Sequence, residues 1–166
     1  MKLKNITKLT EADLHYLAGF LDGGGSIMAQ IVKGNSYKYG YSIRVTICFY
    51  QKTKRHWFLL KLRKLLGKDW KIRKRNDGMS ELYITGFTPV KNILISLQPY
   101  FRLKPRLAKL VLEIIDEYSQ IQNEADFLEV CKKIDKTAEY TDSKKRKNTY
   151  SSVKTYLNSP VETEKT

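Results

Sequence analysis

The stretch that most constrains this chain is Leu17 to Ile27, L-A-G-F-L-D-G-G-G-S-I, where small and apolar residues run into three consecutive glycines and the pattern then changes period. Thr10 with Asp13 three residues later is a capping-box start, so a short helix is predicted from there until Asp22 and Gly23-Gly24-Gly25 end it. Gly19 and Gly23, four residues apart, leave two side-chain-free positions on one helix face, where another backbone can come close. From Ser26 onward the residues alternate, so the chain passes straight from helix into strand.

Ser26 to Lys33 sets Ile27, Ala29 and Ile31 on one face of a strand and Met28, Gln30 and Val32 on the other. A polar, aromatic loop from Gly34 to Gly40 follows. Tyr41, Ile43, Val45, Ile47 and Phe49 then alternate with Ser42, Arg44, Thr46 and Cys48, which predicts an antiparallel hairpin with one face under helices. Thr53 is expected to cap a second helix running to Gly67, with Trp57, Phe58, Leu59, Leu62, Leu65 and Leu66 inward. A second hairpin is predicted from Trp70 to Arg75, a turn at Asn76-Asp77-Gly78, and Met79 to Thr85. Its polar face would present Lys71, Arg73, Arg75, Glu81 and Tyr83.

Pro89 is expected to start a helix to about Leu97, and Pro105 a longer one to about Gln122. Glu124 to Lys136 reads as a further amphipathic helix, followed by the basic stretch Ser143 to Lys147 and a short helix to about Leu157. The order αββαββα gives an α+β fold, a four-stranded antiparallel sheet backed by helices. Residues 1–158 form one domain in this reading, and Ser159 to Thr166, with nothing to pack, a disordered C-terminal tail.

Lysine and arginine number 31 against 17 acidic residues, a net charge of +14, which is the footprint of a polyanion binder; solubility alone is the other reading of such charge. Cys48 and Cys131, with only His15 and His56 to join them, fit neither a disulfide framework nor a zinc spacing, and are read as reduced thiols in an intracellular compartment. There is no apolar run of membrane-spanning length and no secretory h-region, so no membrane partner is expected.

Leu17 to Ser26 resembles the signature decapeptide of the LAGLIDADG homing endonucleases. Gln51-Lys52-Thr53, Arg55, Trp57, Leu97-Gln98-Pro99, Leu103-Lys104 and Asp142-Ser143-Lys144 are similar to the single-motif, homodimeric branch of that family, represented by an algal chloroplast intron product. The resemblance runs over roughly residues 10 to 158. It implies a homodimer whose motif helices meet through Gly19 and Gly23, made inside an organelle such as a chloroplast or mitochondrion. The partner it implies is a long, partly palindromic double-stranded DNA site, with one sheet over each half-site. Ser26, Met28, Gln30, Val32, Ser36, Tyr37, Ser42, Arg44, Thr46, Cys48, Arg73, Arg75, Glu81 and Tyr83 would face the DNA. Asp142, Ser143, Lys144 and Lys145 would lie near its backbone.

By the same resemblance the cofactor is a divalent metal, Mg2+, with Gln51 positioning solvent beside it and Arg55 and Lys104 acting on phosphate and water. Here the sequence departs from the family. The eighth position of the motif, an aspartate that holds the metal, is Gly24, which leaves main-chain carbonyls such as that of Gly23 as ligands at that point. A hard cation wants carboxylate oxygen, so cleavage is expected to be lost or crippled. Asp22, the other carboxylate of the motif, belongs to the helix end and is not expected to substitute. Two further readings stay open: an active magnesium-dependent endonuclease in which another group replaces the aspartate, and an intron RNA maturase.

Overall fold

The computed structural model describes residues 8–67 and 70–159. The motif helix α1 spans Glu11–Gly24, and Thr10 starts it with both capping-box bonds, at 3.0 and 3.1 Å. It runs two residues past Asp22: Gly23 and Gly24 are still helical, and the Gly25 N–H closes the last turn on Leu21 O. Of the three glycines, Gly25 is the one that close packing demands. A Cβ there would lie 2.5 Å from Leu21 Cδ2 and 2.9 Å from the Cys48 carbonyl oxygen.

Strand β1 (Gly25–Lys33) pairs with β2 (Tyr41–Lys52), and β2 with β4 (Met79–Thr85), whose outer neighbour is β3 (Lys71–Lys74). All pairings are antiparallel, in the order β1-β2-β4-β3. With 12 residues, β2 reaches both neighbours: Tyr41 to Phe49 face β1, and Thr46 to Lys52 face β4. The register puts Ile27, Ala29, Ile31, Ile43, Val45, Ile47, Phe49, Leu82 and Ile84 on one side, all buried under helices. Above them pack α3 (Phe87–Leu97), α4 (Pro105–Tyr118) and α5 (Glu124–Lys136), with α6 (Tyr150–Asn158) against α5. The expected αββαββα order and four-stranded antiparallel sheet are what the chain adopts.

Several local expectations are corrected. Thr53 does not cap α2 (His56–Leu66): it opens a 3₁₀ turn, Thr53–Arg55, and its hydroxyl accepts from the Ser80 hydroxyl at 3.1 Å. Trp57 and Leu65 are 55% and 37% exposed, because α2 is anchored by Leu59, Leu62 and Leu66: Trp57 lies on the opposite stripe and Leu65 on the flank of the buried one. Trp70 precedes β3 rather than joining it, buried with its indole N–H donating to Leu66 O at 3.0 Å. Arg75 already belongs to the turn, its N–H donating to Met79 O at 2.7 Å. Helix α3 begins at Phe87, ahead of Pro89, since Gly86 at φ +123° turns the chain and a third-position proline sacrifices no helical hydrogen bond. Helix α4 stops at Tyr118, where Gln120 and Ile121 make turn bonds instead. The expected tail beyond Ser159 lies outside the described residues.

Candidate nucleic-acid interface

The face of the sheet turned away from the helices carries Ser26, Met28, Gln30 and Val32 from β1, and Ser42, Arg44, Thr46 and Cys48 from β2. The second hairpin adds Glu81 and Tyr83 from β4 and Lys71 and Arg73 from β3. Period-2 alternation is the whole reason these side chains share a face. The same alternation, carried further along each strand, adds residues absent from the sequence-based set, Tyr50 opposite Glu81, Lys52 opposite Met79, and Thr85 opposite Thr46.

Much of this face is bonded to itself. Arg73 Nε donates to Glu81 Oε2 at 2.7 Å, while Arg75 donates to Glu81 Oε1 at 3.1 Å and to Asp77 at 2.6 Å. Glu81 is only 8% exposed, so a nearly buried carboxylate aims two guanidinium groups, one of which also lies 5.9 Å from the Tyr83 ring. The bond to Glu81 raises the Arg73 pKa further. The hydroxyls of Thr46 and Thr85 meet at 3.3 Å, while Ser42 is held from outside the face by the Tyr118 hydroxyl at the end of α4, 3.1 Å away. Thr46 and Cys48 are themselves buried, and burial pushes the Cys48 thiol up to about 11. Arg44, opposite Gln30, is exposed and without a hydrogen-bonding or ionic partner among the described residues. Ser36 and Tyr37 stand exposed in the loop between β1 and β2.

At the end of α1, Gly19, Gly23 and Gly24 are exposed, and a Cβ built on any of them would meet nothing within 4 Å. Among the described residues no helix packs against the two spaced glycines. Asp22 is committed elsewhere: its carboxylate accepts from the Arg102 N–H at 2.7 Å and the Lys104 N–H at 3.1 Å. Lys104 answers in the opposite direction, its ammonium donating to Leu21 O and, at 2.7 Å, to Gly25 O. Burial holds the Lys104 pKa below its usual range, against the opposing fields of Asp22 and Asp142. Gln51 Oε1 accepts from Arg55 Nε at 2.8 Å and from the Lys52 N–H at 2.9 Å, so those two site residues form one unit.

The basic stretch is less uniform than its composition implies. The Lys144 ammonium donates to Ala138 O and, at 2.7 Å, to Thr141 O. Arg146 braces the same turn, bonding Ser143 O at 3.0 Å, Lys145 O at 3.3 Å and Thr141 Oγ1 at 3.0 Å. Asp142, Ser143, Lys145 and Lys147 remain exposed.

No three His, Cys, Asp or Glu side chains converge to hold a metal among the described residues. With glycine at 24 and both Asp22 oxygens on main-chain amides, the residues present do not fit a divalent cation held by carboxylates at the end of α1.

Residues 17–116 match the family model for LAGLIDADG endonuclease. The chain is 41% identical over 160 residues to DNA endonuclease I-CreI of Chlamydomonas reinhardtii, covering 96% of this chain and 97% of that protein. It is 43% identical over 131 residues to DNA endonuclease I-CvuI of Chlorella vulgaris, covering 79% and 81%. Among solved structures, I-CvuI bound to the I-CreI target in 2 mM Mg, with its DNA not cleaved, superposes with a TM-score of 0.82 at 38% identity over 89% of this chain and 93% of that one. The archaeal enzyme I-Vdi141I in complex with DNA shares the fold, with a TM-score of 0.76 at 14% identity over 89% and 96%. By family match and by relatives spanning nearly its whole length, the chain belongs to the LAGLIDADG endonuclease family.

Proposed function

We propose that this chain is a homodimeric, site-specific double-stranded DNA-binding protein of the homing-endonuclease type, whose own cleavage of that DNA is lost or crippled at Gly24. The observation that carries the reading is the end of α1. Gly24 stands exposed with open space around it, beside an intact Lys104 and a preformed Gln51–Arg55 pair, and among the described residues no carboxylate takes the place of the one the family motif holds there.

DNA binding is supported by the net charge of +14 and by the open sheet face, where donors and acceptors of several kinds stand side by side as base-edge reading requires. One relative, I-CvuI, was solved on two DNA targets, once with magnesium and once with calcium. Dimerisation is supported by Gly19 and Gly23, which leave a strip of bare helix that nothing among the described residues covers. Each copy then spreads one sheet over one half of a long, partly palindromic site, with the two copies of Gly24 next to the twofold axis. A divalent ion would there act on attacking and leaving oxygens, a role for which this chain offers phosphate-directed groups and no carboxylate ligand. The same reading puts the protein in an organelle or another intracellular compartment, where Cys48 and Cys131 are free thiols.

The test is Gly24→Asp, a change the open space around Gly24 accommodates without steric cost. On a supercoiled plasmid carrying a target selected from random duplexes, the variant is expected to cut both strands with magnesium at least ~100-fold faster than the unaltered chain. Equal cleavage by the two proteins would remove Gly24 as the lesion.

A further inference from the structure

We infer that Tyr118, a helix residue outside the sheet, is a positioning residue for base reading: its phenol fixes the Ser42 hydroxyl as a hydrogen-bond donor, so that one base position in each half-site is chosen for an acceptor and against cytosine. The inference rests on the DNA-binding reading above. Strand β4 pairs with β2 only from Thr46 onward, so among the described residues no strand flanks β2 on that side between Tyr41 and Val45. Through that gap the last residue of α4 reaches a side chain of the opposite face. Tyr118 Oη lies 3.1 Å from Ser42 Oγ, and no other hydrogen bond reaches the Ser42 hydroxyl among the described residues. The phenol ring is itself locked, with centroids 5.0 Å from Phe87 and 6.4 Å from the fully buried Phe127. Ser42 lines two clefts, one shared with Tyr118 and Ile121, the other with Val32, Arg44 and Thr85 of the reading face.

The chemistry of the pair decides what Ser42 offers. A phenol is a stronger acid than an aliphatic alcohol, so Tyr118 donates and the Ser42 oxygen accepts. Receiving that bond polarises the serine hydroxyl and strengthens it as a donor in turn. A lone serine hydroxyl turns to suit either kind of base edge; this one is biased before DNA arrives. In the major groove guanine, adenine and thymine each present an acceptor, whereas cytosine presents only its amino donor. A hydroxyl held as a donor therefore rejects cytosine most.

The experiment measures the affinity of the full chain, by fluorescence anisotropy at one salt concentration, for its selected duplex and for variants changed at each base pair in turn. Ser42→Ala is expected to flatten the preference at one position per half-site, the position where the unaltered chain rejects cytosine. Tyr118→Phe keeps the ring packing and should keep the melting temperature, yet flatten that same position about threefold to tenfold and no other. In the Ser42→Ala background, adding Tyr118→Phe should change nothing further, which a merely structural role would not give. The inference is overturned if Tyr118→Phe folds and flattens no position, or acts equally with and without Ser42. If Tyr118→Phe does not fold, the Ser42→Ala panel decides: a position read by Ser42 at which the unaltered chain accepts cytosine overturns the inference while leaving DNA binding intact. An unaltered chain that binds no duplex defeats the DNA-binding reading itself, and the inference falls with it.

Discussion

The open sheet face and the end of α1 are built in opposite ways. On the sheet, polar groups are paired before any ligand arrives: Glu81 holds Arg73 and Arg75, Thr46 meets Thr85, Ser42 meets Tyr118. At the end of α1 the surface is bare backbone at Gly19, Gly23 and Gly24, and the side chains beside it, Asp22 and Lys104, are spent on holding the helix to the 102–104 loop. Under the function proposed above, a single chain thus pairs a recognition surface organised before DNA arrives with a reaction centre that awaits a second copy of the helix and the carboxylate that glycine replaces at position 24.

The sharpest way to break that contrast is Gly23→Leu. Among the described residues nothing lies within 4 Å of the added Cβ, and leucine is the better helix former, so the protomer itself should stay folded. Sedimentation should instead shift from dimer to monomer. Target affinity should fall roughly 10²- to 10⁴-fold as the two half-sites lose their linkage. A dimer that persists would place the interface elsewhere and leave the bare helix face unexplained.

Within the sheet the contrast can be sharpened between arginines. Arg44 has no hydrogen-bonding or ionic partner among the described residues, whereas Arg73 shares a nearly buried carboxylate with Arg75. Arg44→Ala should therefore erase about 1 to 3 kcal/mol of discrimination at one base pair. Arg73→Ala should cost less discrimination, because its guanidinium must leave or share Glu81 to reach a base. A panel of single-base-pair target variants measures both, and the reverse order would mean that Glu81 orients Arg73 for reading rather than restraining it.

What could be read in the sequence follows the same divide. The alternation from Ser26 and from Tyr41, the Asn76-Asp77-Gly78 turn, the Thr10 capping box and the helix Glu124–Lys136 depend on neighbours in the chain, and all stand as expected. Misreadings fell where a distant partner decides. Thr53 looks like a cap until Ser80, 27 residues away, takes its hydroxyl, and Trp57 looks like core until α2 settles on Leu59, Leu62 and Leu66. The Asp22–Lys104 clasp joins residues 82 apart, and neither spacing nor composition announces it. The basic run likewise hides the fact that Lys144 and Arg146 serve their own turn while Lys145 and Lys147 do not.

A smaller effect separates those lysines. Lys145→Ala should lower the slope of log affinity against log salt by about one unit, the signature of one lost phosphate contact. Lys144→Ala, whose ammonium is occupied by Thr141 O and Ala138 O, should leave the slope nearly unchanged and act through the shape of the turn. Equal slopes for the two variants would mean that the turn bonds give way when DNA binds.

The smallest expected effect compares the two faces of the sheet through their thiols. Cys48 belongs to the open face and Cys131 to the core under α5, yet burial raises both, to about 11 and about 12, from an ordinary value of 9.0. The folded values exceed the unfolded one, so each thiol's contribution to stability is complete below about pH 9. It is lost as pH climbs through the folded values, because the unfolded chain releases those protons first. The melting temperature should accordingly decline above pH 9, and Cys48→Ala and Cys131→Ala should each flatten the decline when compared with the unaltered chain over the same pH series. Subtracting the two curves cancels the tyrosines and lysines that titrate in the same range. Cys131→Ala also removes packing volume and should lower the whole curve, which is separable from its slope. Comparable flattening by both substitutions would mean that the centre of the recognition face is as closed to water as the core behind it, consistent with side chains that are paired before DNA arrives. No flattening for Cys48→Ala would mean that the face opens to solvent on its own, and that its hydrogen bonds are made and broken in the free protein.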